Sequence, residues 1–253
     1  MREGLRPTGT LGRVTFVDSL RGIWDDVVGT QPPPEATAVW LTAFVALLMV
    51  VAPPVWPVSR HVVTIAHEGA HGVAALLSGR RLAGIRLHSD TSGLTVSRGR
   101  STGPGMVATA LAGYVGPALL GLGAAYLLHQ RHALAVLWLA VLLLALLLLQ
   151  IRNFYGLYAV LVAGVAVFAV SWWGSDQVQS LAAYTGTWFL LLAAPRPVLE
   201  LQGQRRRGKA RTSDADLLSR LTGVPGIVWV AVFLVVTGGG VAIGARWLLP
   251  SLG

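Results

Sequence analysis

Residues His67-Glu68-Gly69-Ala70-His71 form an H-E-x-x-H sequence inside a stretch otherwise dominated by apolar residues. On a helix of 3.6 residues per turn, positions i and i+4 share one face about 6 Å apart, so both imidazoles can reach a single tetrahedral zinc. Glu68 lies about 100° round the helix, close enough to serve a water at that zinc and poorly placed to be a ligand. The spacing predicts His67 and His71 as zinc ligands and Glu68 as the general base. With six His and four Glu in 253 residues, random placement would produce roughly 0.002 such windows. An acidic side chain near the centre of a membrane helix costs about 2.5 to 3.5 kcal/mol on insertion scales, and is tolerated where it faces a wet or functional cavity. The competing reading is a cluster that only bonds neighbouring helices or relays protons.

The rest of the chain must hold that helix in a bilayer. Hydrophobic residues make up 54% of the sequence and charged ones 12%, with a mean hydropathy of +0.63. That charge content is about half that of a soluble domain and excludes an ordinary soluble protein. Cysteine is absent, which excludes disulfides, thiolate metal sites and cysteine nucleophiles and leaves His, Asp and Glu to hold any metal. Seven apolar segments near 37–56, 60–79, 104–128, 133–150, 154–173, 178–195 and 225–248 are delimited by charge, Gly or Pro. They predict an all-α polytopic membrane protein of about six to seven transmembrane helices. Pro53, Pro54 and Pro57 predict a bent or unwound end to the first segment. Between the second and third segments, Ile85, Leu87, the turn-like Asp90-Thr91-Ser92-Gly93 and then Leu94, Thr95 and Val96 predict a small β-hairpin over 82–101, inserted after the HExxH helix.

Residues 1–36 read as an N-terminal cytoplasmic or interfacial segment with no secretory signal pattern. Within it Phe16, Val17, Leu20, Ile23, Trp24, Val27 and Val28 recur at helical spacing, which fits an amphipathic surface helix or a small soluble cap. If all seven segments span, 17 Lys and Arg fall on one side, with the N-terminus, the hairpin, Arg152 and the Arg-rich stretch from Arg205 to Arg211, against Arg60, Arg131 and Arg246 on the other. The positive-inside rule then makes the N-terminus cytoplasmic and the C-terminus external in a plasma (cytoplasmic) membrane. No aromatic residue interleaves the Arg-rich stretch, so it reads as a topological anchor, with no nucleic acid as partner.

The sequence resembles the M50 metallopeptidases of the site-2 protease class, and more closely an M50B-like branch. The residues that carry the resemblance are Thr64 to His71, Leu87 to Thr95, Ala110-Leu111-Ala112-Gly113-Tyr114-Val115-Gly116-Pro117 and Ser213-Asp214-Ala215. The resemblance implies that residues 37–253 form a membrane-embedded metalloprotease-like domain using Zn2+. It also implies an activity that cuts peptide bonds in or near the transmembrane segments of a membrane-protein substrate. The Asn-Pro-Asp-Gly or Leu-Asp-Gly motif of many members, which supplies a third ligand, is missing here.

That third ligand must come from elsewhere, because Ala74 and Leu77 stand where a metzincin helix would carry Gly and His. Downstream carboxylates are Asp90, Asp176, Glu200, Asp214 and Asp216. The expected topology places Asp176 on the far side, and the hairpin turn accounts for Asp90 as it does for His88. Asp214 is the chosen candidate, with Asp216 in reserve; the ordinary alternative is an acidic first-turn residue of a short helix capped by Ser213. An exposed edge of the hairpin would suit an extended substrate segment, or the hairpin is only a connector. Asn153 could donate to an oxyanion or cap a helix. Gly113, Gly116, Gly121 and Gly123 permit close helix approach, with a kink at Pro117, while Gly240 and Gly244 could pack within the bundle or between subunits. The rival functions are a pseudoprotease scaffold binding transmembrane helices and a metal- or proton-coupled transporter, although the paired halves of a transporter are not evident. Oligomeric state and substrate identity are not encoded in any of these features.

Overall fold

The computed structural model describes residues 24–25, 27–208 and 213–249, so most of the expected N-terminal amphipathic helix lies outside the described residues. Helix α1 (Ala36–Val51) stops just before Pro53 and Pro54, which carry no backbone N–H to continue it, and α2 (Trp56–Leu77) leaves at 98° to it. The bend falls where the prolines predict it. The second helix starts at Trp56 and not near residue 60, because Pro57 sits in its first turn, where a missing N–H breaks no helical bond.

Past α2, Gly79 takes a left-handed φ of 71° and turns the chain into β1 (Arg81–Leu87), which pairs antiparallel with β2 (Gly93–Arg98). This is the expected hairpin. Asp90 Oδ1 accepts from the Ser92 amide at 3.0 Å and the Ser92 hydroxyl at 2.7 Å, and Thr64 of α2 donates to the Thr91 carbonyl at 2.9 Å. The outer edge of β1 is occupied. Ile85 N donates to the Gln150 carbonyl at 2.8 Å, Arg152 N donates to Ile85 O at 2.9 Å, and the Asn153 amide brackets Leu87 by accepting at 3.2 Å and donating at 2.7 Å. Asn153 therefore neither caps a helix with its side chain nor stands free as an oxyanion donor. Among the described residues, the free sheet edge belongs to β2.

The remaining elements are α3 (Pro104–His129), α4 (Ala133–Leu148), α5 (Phe154–Trp173), α6 (Asp176–Ala193), α7 (Pro195–Arg206), α8 (Asp214–Thr222) and α9 (Gly226–Leu248). Helix α7 was not expected: Pro195 reads as a stop, yet it opens a new helix in the first-turn position that tolerates it. Helices α2 and α3 approach so closely that a Cβ on Gly116 would overlap that of Ala70. Gly240 packs on Ala118 and Gly244 on Leu191, so these two glycines of α9 are used within the bundle.

Among the described residues, three helices (α3, α5 and α9) are long and apolar enough to cross a bilayer, or four spans if α1 and α2 form one broken path, against the six to seven expected. Helix α4 is apolar throughout, but its 16 residues reach about 24 Å, short of a roughly 30 Å hydrocarbon core. Segment counting treats each apolar run as a crossing, and here two runs meet at a right-angled bend. The chain just before α1 meets the far end of α3. Gln31 N donates to Arg131 O at 2.8 Å, Leu134 N donates to Gln31 Oε1 at 3.1 Å, and His132 Nδ1 lies 3.0 Å from Gly29 O. Residues 29–31 therefore share the end of the bundle occupied by the α3–α4 turn, which the charge count had put on the opposite side.

Candidate metal centre

Helix α2 carries His67 and His71 one turn apart, with their ring centroids at 4.6 Å and their Nε2 atoms 3.0 Å from each other. Helix α8 brings Asp214, whose Oδ2 lies 3.3 Å from each of those nitrogens. Three ligand atoms thus form a triangle with edges of 3.0, 3.3 and 3.3 Å. A tetrahedral zinc with bonds of about 2.0–2.1 Å requires ligand atoms roughly 3.3 Å apart, so the triangle fits zinc on three corners and leaves the fourth open. Of the sequence candidates, Asp214 is at the triangle. Asp216 is not: its carboxylate takes the Ser213 hydroxyl at 2.6 Å and pairs with Arg205. Asp176 opens α6, where it lines a cavity of about 340 Å³ with Pro32, Pro33, Pro34 and Glu35. Glu200 pairs with Arg60 and Arg196, and Asp90 is spent in the hairpin turn. His88, 3.1 Å from the Ser92 hydroxyl, belongs to that turn as well.

Local chemistry suits the ligand role. The His71 Nδ1 lies 2.6 Å from the Thr109 carbonyl, which can only accept, so Nδ1 carries the proton and Nε2 offers its lone pair to the centre. The hydroxyl of Thr109 in turn donates to Gly105 O at 2.7 Å. Tyr114 packs edge-on against His67 at 4.8 Å and stacks on Phe233 of α9 at 4.9 Å, which fixes the His67 ring. Without a metal, protons on the facing Nε2 atoms of His67 and His71 would hydrogen-bond to Asp214 and hold its carboxyl below the ordinary carboxylate range against the upward push of burial. A Cβ at position 113 would run into the rings of both His67 and His71, so glycine makes the room in which the two imidazoles converge.

Glu68 is 5% exposed and its side chain meets the hairpin. Its Oε2 accepts from the Thr95 hydroxyl at 2.7 Å, and a Cβ on Gly93 would come within 2.5 Å of its Cγ and Oε1. Sequence reasoning gave Thr95, Gly93 and Thr109 no role. The period-two alternation of β2 put Gly93 and Thr95 on one face, but nothing local said that this face meets Glu68.

Apolar helices able to cross a bilayer thus surround a His, His, Asp group that could hold a metal ion, the makeup of a helical membrane protein. A family model described as Peptidase M50B-like matches residues 40–244, and the chain belongs to that family. No curated protein and no solved structure gives a significant match. Membership implies a protease, and M50 peptidases are generally zinc enzymes.

Proposed function

We propose that this protein is an intramembrane zinc endopeptidase cutting peptide bonds in or next to the transmembrane segments of membrane-protein substrates. The carrying observation is the 3.0 to 3.3 Å triangle of His67, His71 and Asp214 beside a buried Glu68. Zinc held by those three residues would supply a Lewis acid for the scissile carbonyl and lower the pKa of a water in the open position to about 7. Thr109 and Tyr114 orient the two imidazoles, and Asp214 offsets positive charge in a site poor in water. Glu68 takes a proton as the water oxygen adds to the carbonyl carbon, and delivers it to the nitrogen that leaves when the C–N bond breaks. The free edge of β2, which exposes Leu94 and Val96, supports strand addition by an unwound substrate segment.

The end that carries the hairpin also carries Arg80, Arg81, Arg86, Arg98, Arg100 and Arg152, and by the positive-inside rule it faces the cytoplasm. Residues 29–31 then face outward. A cysteine at Thr91 should label only from the cytoplasm and one at Gly29 only from outside; labelling from one side would reject this orientation.

The function is tested with Glu68→Gln in purified protein. The variant should retain one zinc per chain and lose cleavage of a transmembrane reporter by about 10²-fold or more. Undiminished cleavage, or loss of the metal, would remove Glu68 from the role of base.

A further inference from the structure

We infer that Thr95 is a positioning residue for Glu68: strand β2, through the Thr95 hydroxyl, fixes the carboxylate of the base in its working rotamer. This rests on the reading of Glu68 given above. The inference stands on three observations. The hydroxyl lies 2.7 Å from Glu68 Oε2 and 3.0 Å from the Glu68 main-chain oxygen, and its one proton goes to the nearer, charged oxygen, Oε2. Gly93, on the same face of the strand two residues earlier, is packed so closely against Glu68 Cγ and Oε1 that any larger residue would displace the carboxylate. The strand itself is anchored on both sides of the contact. The hairpin turn is tied to α2 by the Thr64 hydroxyl on Thr91 O, and β1 is fixed by the Gln150 to Asn153 segment.

A glutamate on a helix has three side-chain torsions, and the helix leaves several of its rotamers open. A general base must sit within hydrogen-bond reach, about 2.6–3.2 Å, of the proton it takes. Here Oε2 is held by Thr95, and Gly93 lies against Cγ and Oε1 and closes the space into which the side chain would otherwise swing. A hydrogen bond to a charged oxygen is roughly twice as strong as one between neutral groups, enough to select one rotamer. Because Thr95 lies on the strand with the free edge, the element offered to the substrate is also the one that sets the base.

The test compares Thr95→Val, which keeps the shape and removes the hydroxyl, with Thr95→Ser, which keeps the hydroxyl. Zinc content and steady-state cleavage of a transmembrane reporter are measured for both. In the metal-free protein, the infrared carboxylate band of Glu68 is isolated as the difference between each protein and its Glu68→Gln counterpart. Thr95→Val should keep its zinc, keep KM within about twofold, lose about 10- to 100-fold in kcat and shift the Glu68 band. Thr95→Ser should restore kcat to within about threefold and return the band to its place. An unshifted band with wild-type kcat in Thr95→Val would overturn the inference, as would a change confined to KM, which belongs to substrate docking. A Ser variant as impaired as the Val variant, or loss of zinc from either, would assign Thr95 to packing and overturn it too. If Glu68→Gln itself cleaves normally, the reading of Glu68 as base fails, and the infrared shift still reports whether Thr95 holds its carboxylate.

Discussion

The α2–α3 contact and the α4–α5 contact are both helix pairs in an apolar protein, yet they are built from opposite materials. Between α2 and α3, glycine faces functional side chains: Gly113 lies on the rings of His67 and His71, and Gly116 on Ala70. Between α4 and α5, Leu144 meets Gly164 at an ordinary 3.9 Å, and Trp138, Phe168 and Trp172 fill the interface with rings 5.7 to 6.1 Å apart. Much of the remaining surface of that second pair is exposed leucine and valine, as expected of helices facing lipid. In hydrocarbon, apolar side chains gain little from meeting each other, so helices associate through close packing and polar contacts. The first pair uses both and carries the site. The second uses large side chains and contributes none of His67, His71 and Asp214.

Matched substitutions put this difference to the test. Gly113→Ala places a methyl group where the imidazoles converge, and zinc affinity should fall by about 10- to 100-fold as the rings are pushed from their positions. Equilibrium dialysis against a zinc buffer measures it, and wild-type affinity would show that the close approach has no bearing on the centre. Gly164→Ala adds the same methyl where space exists, and should leave zinc binding and cleavage unchanged. Its thermal midpoint should rise slightly, in line with the roughly 0.5–1 kcal/mol by which Ala is favoured over Gly inside a helix. A destabilised Gly164→Ala would mean that the second interface is as demanding as the first.

How far the sequence anticipates the molecule depends on whether a feature is local. The spacing of His67 and His71 fixes their common face wherever the helix lies, and the hairpin follows from alternation around a turn signal, so both were legible. Asp214 keeps the alternative of a first-turn helix acid in the sequence because 143 residues separate it from His71, and no local pattern reports a contact at that distance. The same holds for Thr95 on Glu68 and for Asn153, whose amide is used by Leu87 and not by its own helix. Helix α7 was hidden because Pro195 is both a stop for one helix and a permitted start for the next. Hydropathy found every apolar segment, but it carries no angle. The 98° bend between α1 and α2, and the position of residues 29–31, had to come from packing.

The central claim is that His67, His71 and Asp214 form one metal centre, and it is tested most directly by zinc stoichiometry and affinity in Asp214→Ala and Asp216→Ala proteins prepared side by side. Both residues lie in the first turn of α8, where Asp216 holds Ser213 and Arg205 and only Asp214 touches the two imidazoles, so destabilisation of the helix alone would cost zinc at least as much in Asp216→Ala. The account predicts one zinc per wild-type chain, an affinity at least about 100-fold weaker in Asp214→Ala, and near wild-type zinc binding in Asp216→Ala. Wild-type affinity in Asp214→Ala, or equal losses in the two variants, would contradict it.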